Sequence, residues 1–125
     1  TEELRNALVP LNRSYPLSSI FAALRDYQQA CRRRLVLAWT MIPGVNMNRE
    51  QLQALAAMAQ GIRIMLDLIP VNDATGKYRR PTLEEVRSFV RLIQEEVRCP
   101  MTVRYSGGAD INAACGMLAA DEAPQ

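Results

Sequence analysis

The stretch LVLAWTMI, residues 35–42, is nearly all apolar and shows no period-two alternation. A strand with one wet face alternates, so a continuous run is expected where both faces are covered, as in a parallel sheet flanked by helices. A second run, IRIMLDLI at 62–69, stops at Pro70. A third and shorter one, MTVRY, places Met101, Val103 and Tyr105 on one face. Segments of helical period separate the three. The order helix, strand, helix, strand, helix, strand predicts an α/β fold of parallel strands joined by right-handed helical crossovers.

The helical segments carry their own signals. In SSIFAALRDYQQACRRR, Ile20, Leu24, Tyr27 and Cys31 fall on one stripe. That predicts a core Cys31, a cap at Ser18 or Ser19, and Arg32 to Arg34 at the negative end of the helix dipole. Asn48 and Gln51 have capping-box spacing, followed by a face of Leu52, Leu55, Ala56 and Ala59 and a stop at Gly61. Thr82 and Glu85 form a second box, ahead of a face made by Val86, Phe89, Val90, Ile93 and Val97. Asp67 is an acid inside a buried strand and needs a partner, which Arg63 or Arg104 can supply.

Composition narrows the function classes. A chain of 125 residues, 49% hydrophobic, suits one domain, assigned here to residues 1–119 with a disordered tail at 120–125. No apolar run approaches the ~20 residues that span a bilayer, so no membrane partner is expected. The chain starts at Thr1 without an initiator Met, as a trimmed or excerpted segment would. Fifteen basic residues against thirteen acidic ones leave a net charge of +2, too small to argue nucleic-acid binding. Fourteen of those fifteen are Arg, with clusters at Arg32 to Arg34 and at Lys77, Arg79 and Arg80; they read as phosphate forks or as solvated surface. Three cysteines and no histidine argue against a disulfide framework, a zinc site and any Cys-His or Ser-His pair, and favour a cytoplasmic setting.

In a sheet of this kind ligands collect at the carboxyl ends of the strands. Three turn-rich loops leave those ends: Pro43 to Met47, Pro70 to Arg80, and Ser106 to Cys115. Cys115 stands among Ala113, Ala114 and Gly116, a setting with room and backbone freedom. It faces a site, or it is one more small buried residue.

The segments MIPGVN, LIPVN, YRRPTLEEVRSFVRLI and VRYSGGADINAACGML, in that order, resemble the C-terminal third of the radical-SAM adenine-C2 RNA methyltransferases, the ribosomal RNA large-subunit methyltransferase N and Cfr family. The similarity runs from about Leu4 to Leu118, and the DI-x-AACG motif is its most specific part. It implies a partial (β/α) barrel and an enzyme that methylates carbon 2 of adenine in large-subunit ribosomal RNA, with transfer RNA as a further substrate in some members. It also implies S-adenosylmethionine and a [4Fe-4S] cluster in the full-length protein. By the same resemblance Cys115 matches the cysteine that carries the methyl group as methyl-cysteine before transfer. Asn72 matches an asparagine that contacts S-adenosylmethionine; its other reading is turn initiation. Lys77, Arg79 and Arg80 become RNA-contact candidates. The chain departs from the family at Met117, where Gln is usual, and at Gly107 to Ala109. The cluster-binding CxxxCxxC is not among these residues, so the segment by itself is expected to be inactive, and its uncovered sheet edge is expected to self-associate. Two other readings stay open: an RNA- or protein-interaction module derived from the family, and a simple thiol redox protein using Cys115.

Overall fold

The computed structural model describes residues 1–104. Its elements in order are α1 (Glu2–Leu8), a 3-10 turn (Pro10–Arg13), α2 (Leu17–Cys31), β1 (Leu35–Met41), α3 (Arg49–Met58), β2 (Ile64–Pro70), α4 (Leu83–Glu96) and β3 (Met101–Val103). The strands form one parallel sheet in the order β1-β2-β3, with Leu37 beside Leu66 and Asp67 beside Thr102. The alternation of helix and strand therefore gives the α/β topology expected of it.

Two successive crossovers step in the same direction across this sheet. Right-handed connections then put α3 and α4 on one face. That face holds the core: Leu66 and Leu68 of β2 with Phe21 of α2, Leu52 and Leu55 of α3, and Phe89 and Ile93 of α4. Trp39 of β1 meets Phe89 with ring centroids 5.8 Å apart and planes tilted by 50°.

The other face corrects the reading of β1 as buried on both sides. Residues along β1 alternate, and Val36, Ala38 and Thr40 are exposed. Apolar composition marked a surface that the described residues leave uncovered. The Thr82–Glu85 capping box forms as expected, with both reciprocal bonds present. Asn48 caps α3 by accepting from the Gln51 N–H at 3.1 Å, but Gln51 turns its own amide toward Thr1 Oγ1 instead of closing the box.

Helix α2 is rotated from the expected stripe. Phe21 and Gln28 are its buried residues, Tyr27 is exposed and Cys31 is only half-buried. The helix begins at Leu17 after Pro16, so neither Ser18 nor Ser19 caps it. Gln28 explains the rotation. Its Nε2 donates to the carbonyls of Arg33 at 2.8 Å and Arg63 at 2.9 Å, and its Oε1 accepts from the Arg63 N–H at 2.7 Å. One buried amide thus ties the end of α2 to the approaches of β1 and β2, which an apolar residue could not do. Arg32 then turns the chain at φ 55, in the left-handed region, to start β1.

Candidate functional site

The loops at the carboxyl ends of β1 and β2 share a rim, and each is organised by its own polar side chains. After β1, Asn46 Oδ1 accepts from the Ile42 N–H at 2.8 Å and its Nδ2 donates to the Thr40 carbonyl at 2.6 Å. Gly44, at φ 74, makes the turn between them. After β2, the Asp73 carboxylate accepts from the Thr75 N–H at 2.9 Å, the Thr75 hydroxyl at 2.6 Å and the Tyr78 N–H at 2.8 Å. These bonds, the Thr75 hydroxyl first, hold the Asp73 carboxyl below its ordinary range. Neither Asn46 nor Asp73 was singled out from the sequence. The signal available was Asx chemistry at a strand end, where such residues fold the turn on themselves.

The expected site residues of the second loop lie together. Asn72 lies just past the end of β2, after Val71, and Arg80 donates to its Oδ1. Arg79 forms a two-pronged pair with Glu85, at 2.8 and 2.6 Å. Glu85 also accepts from the Thr82 N–H at 2.8 Å, so one carboxylate joins loop and helix. The Arg79 guanidinium is the main reason that the Glu85 carboxyl is lowered to about 2. Lys77 sits with Nζ 5.1 Å from the centre of the Tyr78 ring and makes no ion pair among the described residues. Of the three cations expected to reach RNA, two are thus engaged, Arg79 with Glu85 of α4 and Arg80 with Asn72 of the loop.

That pair predicts a pH dependence. Glu85 titrates lower in the folded protein than in the unfolded chain, so its stabilisation is complete above about 4.5 and is lost as the pH falls toward about 2. Glu85→Gln is expected to lower the melting temperature at pH 7 and to change it little at pH 2. Equal losses at both pH values would show that the carboxylate charge is not what joins loop and helix.

The uncovered sheet face carries a buried carboxylate. Asp67, 5% exposed in the middle of β2, accepts from Arg104 Nε at 2.6 Å and from the Thr102 hydroxyl at 3.0 Å. Of the two partners expected for Asp67, Arg104 is the one used; Arg63 bonds to the Arg32 carbonyl. A cleft of about 660 Å³ runs along β1, walled by residues such as Leu4, Phe21 and Val36 and reaching Asn72 and Tyr78. Among the described residues no helix is long and apolar enough to cross a membrane.

Cys115 and the tail at 120–125 lie outside the described residues. Cys31 and Cys99 are free thiols, and burial pushes the Cys99 thiol up, which suits packing better than nucleophilic attack. Among the described residues no group of three or more His, Cys, Asp or Glu side chains could hold a metal ion.

No family model matches the chain. Individual proteins do. A probable RNA methyltransferase of Myxococcus xanthus is 44% identical over 120 residues, covering 96% of this chain and 33% of that protein. The dual-specificity RNA methyltransferase RlmN of Syntrophobacter fumaroxidans is 37% identical over 120 residues, covering 95% of this chain and 35% of its own. Among solved structures, a radical SAM methyltransferase from Sphaerobacter thermophilus superposes with a TM-score of 0.84 at 37% identity, over 94% of this chain and 34% of that one. A domain of pyruvate-formate lyase-activating enzyme from Bacteroides vulgatus shares the fold, with a TM-score of 0.61 at 14% identity. The chain spans about a third of the length of the curated relatives it matches. Along nearly its whole length, then, the chain is the homologue of about one third of an RlmN-type radical SAM methyltransferase.

Proposed function

We propose that these residues are the C-terminal third of a cytoplasmic radical-SAM enzyme that methylates carbon 2 of adenine in ribosomal RNA, with transfer RNA as a second substrate. The observation that carries this reading is end-to-end similarity to RNA methyltransferases joined to a matching fold. The uncovered sheet face agrees with it, because a partial barrel keeps its ligands on the face opposite the helices. When bound, S-adenosylmethionine supplies both the methyl group and the radical that activates it. Asn72, at the carboxyl end of β2, would bind that cofactor, with Arg80 fixing the orientation of its amide. Cys115 would accept the methyl group and pass it to RNA, and Lys77 would be the first of the loop cations to meet a phosphate. The described residues do not fit an iron–sulfur cluster, whose ligands must come from elsewhere in the enzyme.

The test is direct. The full-length protein, reconstituted with a reduced cluster and S-adenosylmethionine, should produce 2-methyladenine in ribosomal RNA, read by mass spectrometry of nuclease digests. An intact cluster and bound S-adenosylmethionine with no methylated adenine would overturn the reading in favour of an interaction module.

The sheet edge gives a second expectation. β1 ends the β1-β2-β3 order with its outer edge unpaired among the described residues, and Val36 beside it is 62% exposed. Unpaired apolar edges recruit other strands. The 125-residue chain by itself is therefore expected to self-associate, with light scattering showing a mass that rises with concentration. A constant monomer mass at high concentration would refute this.

A further inference from the structure

We propose that Arg104 is an anion-binding residue on the uncovered sheet face, and that buried Asp67 is its positioning residue. The proposal rests on the reading above, in which this face meets RNA and S-adenosylmethionine, and it adds the group that holds them. Stability alone does not account for Asp67. A buried ion pair can often be replaced by apolar residues of similar volume at no loss, and mid-strand in β2 such residues would pack. What the carboxylate does is orient a guanidinium. One Asp67 oxygen takes Arg104 Nε at 2.6 Å, and the other is held by the Thr102 hydroxyl at 3.0 Å. Because the guanidinium is planar, fixing Nε fixes the plane in which both Nη groups point.

The rest of the face limits what those Nη groups can hold. The Arg104 side chain is 68% exposed, so it is held at one end and open at the other. By strand alternation its neighbours on this face are Val36, Ala38, Thr40, Met65 and Ile69, none of them charged. Asp67 already offsets part of the Arg104 charge. A dianion would be repelled by that carboxylate, whereas a singly charged group with two equivalent oxygens matches the fork in charge and spacing. An RNA phosphodiester and the carboxylate of S-adenosylmethionine both have this chemistry.

The experiment uses the full-length protein and two probes, S-adenosylmethionine and an adenine-containing oligoribonucleotide titrated over a range of salt. Arg104→Met should weaken one of them by about tenfold or more, as loss of a charge-assisted contact does. If the anion is a phosphodiester, the slope of log affinity against log salt falls by about 0.7 to 0.9 and S-adenosylmethionine binding is unchanged. If it is a carboxylate, S-adenosylmethionine binding weakens and the salt slope stays. Arg104→Lys, which keeps charge without the fork, should recover part of the loss. Asp67→Asn should lower the same affinity as Arg104→Met, by a smaller factor. Arg104→Met with both affinities within about twofold of wild type would overturn the proposal whatever happens to the melting temperature. Asp67→Asn that lowers only the melting temperature would overturn the positioning role. A wild type that binds neither probe would overturn this proposal together with the reading beneath it, whereas normal wild-type binding with indifferent variants overturns this proposal alone.

Discussion

Cys115→Ala is expected to reduce adenine methylation by the full-length protein at least about a thousandfold, as loss of a covalent carrier does when no other group can replace it. The expectation follows from the proposed role of Cys115 as methyl acceptor. Without the sulfur no methyl group can be held by the chain, and neither Cys31 nor Cys99 is a substitute. Cys31 lies at the end of α2, and Cys99 is partly buried with its thiol pushed up. Stability should hold, because losing one sulfur among Ala113, Ala114 and Gly116 removes little volume. Binding of S-adenosylmethionine should hold as well, since Asn72 is untouched. Wild-type protein isolated from cells should carry an extra methyl on the peptide containing Cys115, seen by mass spectrometry. An Ala variant that still methylates RNA, or a wild-type peptide never methylated during turnover, would return Cys115 to the rank of a small packing residue.

The second large effect is on the fold. Phe89→Ala should destabilise the protein by about 3–5 kcal/mol, the usual cost of emptying a large aromatic site. Phe89 is 1% exposed and stands where α4 meets the sheet, against Trp39. Removing it opens a cavity and strips the Trp39 ring of its partner. Total stabilities of single domains are about 5–15 kcal/mol, so this one change should bring the protein near its unfolding threshold. Leu83→Ala in the first turn of the same helix is the control. Leu83 is 56% exposed, and its loss should cost no more than about 0.5 kcal/mol. Urea unfolding of both variants decides the matter, and a Phe89→Ala cost below about 1 kcal/mol would mean that the α4–sheet contact is not the centre of the core.

Both expectations start from features that could be read in the chain before any fold was known. The face of α4, from Val86 to Val97, repeats at helical period, and it packs on the sheet as that period requires. The Thr82–Glu85 box, the parallel strands and the need of Asp67 for an arginine were legible for the same reason. Each is a local rule, carried by residues within one turn or one strand or by the cost of burying a charge.

What the sequence could not decide was which surfaces meet. The run LVLAWTMI has the composition of a strand covered on both faces, yet Val36, Ala38 and Thr40 are exposed, because both crossovers place their helices on one side. The stripe through Tyr27 and Cys31 is as periodic as the one through Phe21 and Gln28. The burial of Phe21 in the core and the hydrogen bonds of Gln28 to Arg33 and Arg63, up to 35 positions away, select the second. The same holds at the rim. Lys77, Arg79 and Arg80 are equivalent cations in the sequence, but Glu85 captures one, Asn72 another, and Lys77 is left over an aromatic ring. Asp67 had two arginines within its reach on paper. The β2–β3 register put Arg104 beside it and sent Arg63 to a backbone carbonyl. Periodicity, capping and charge burial are properties of neighbours in the chain; the choice of partner depends on distances that exist only once the sheet has formed.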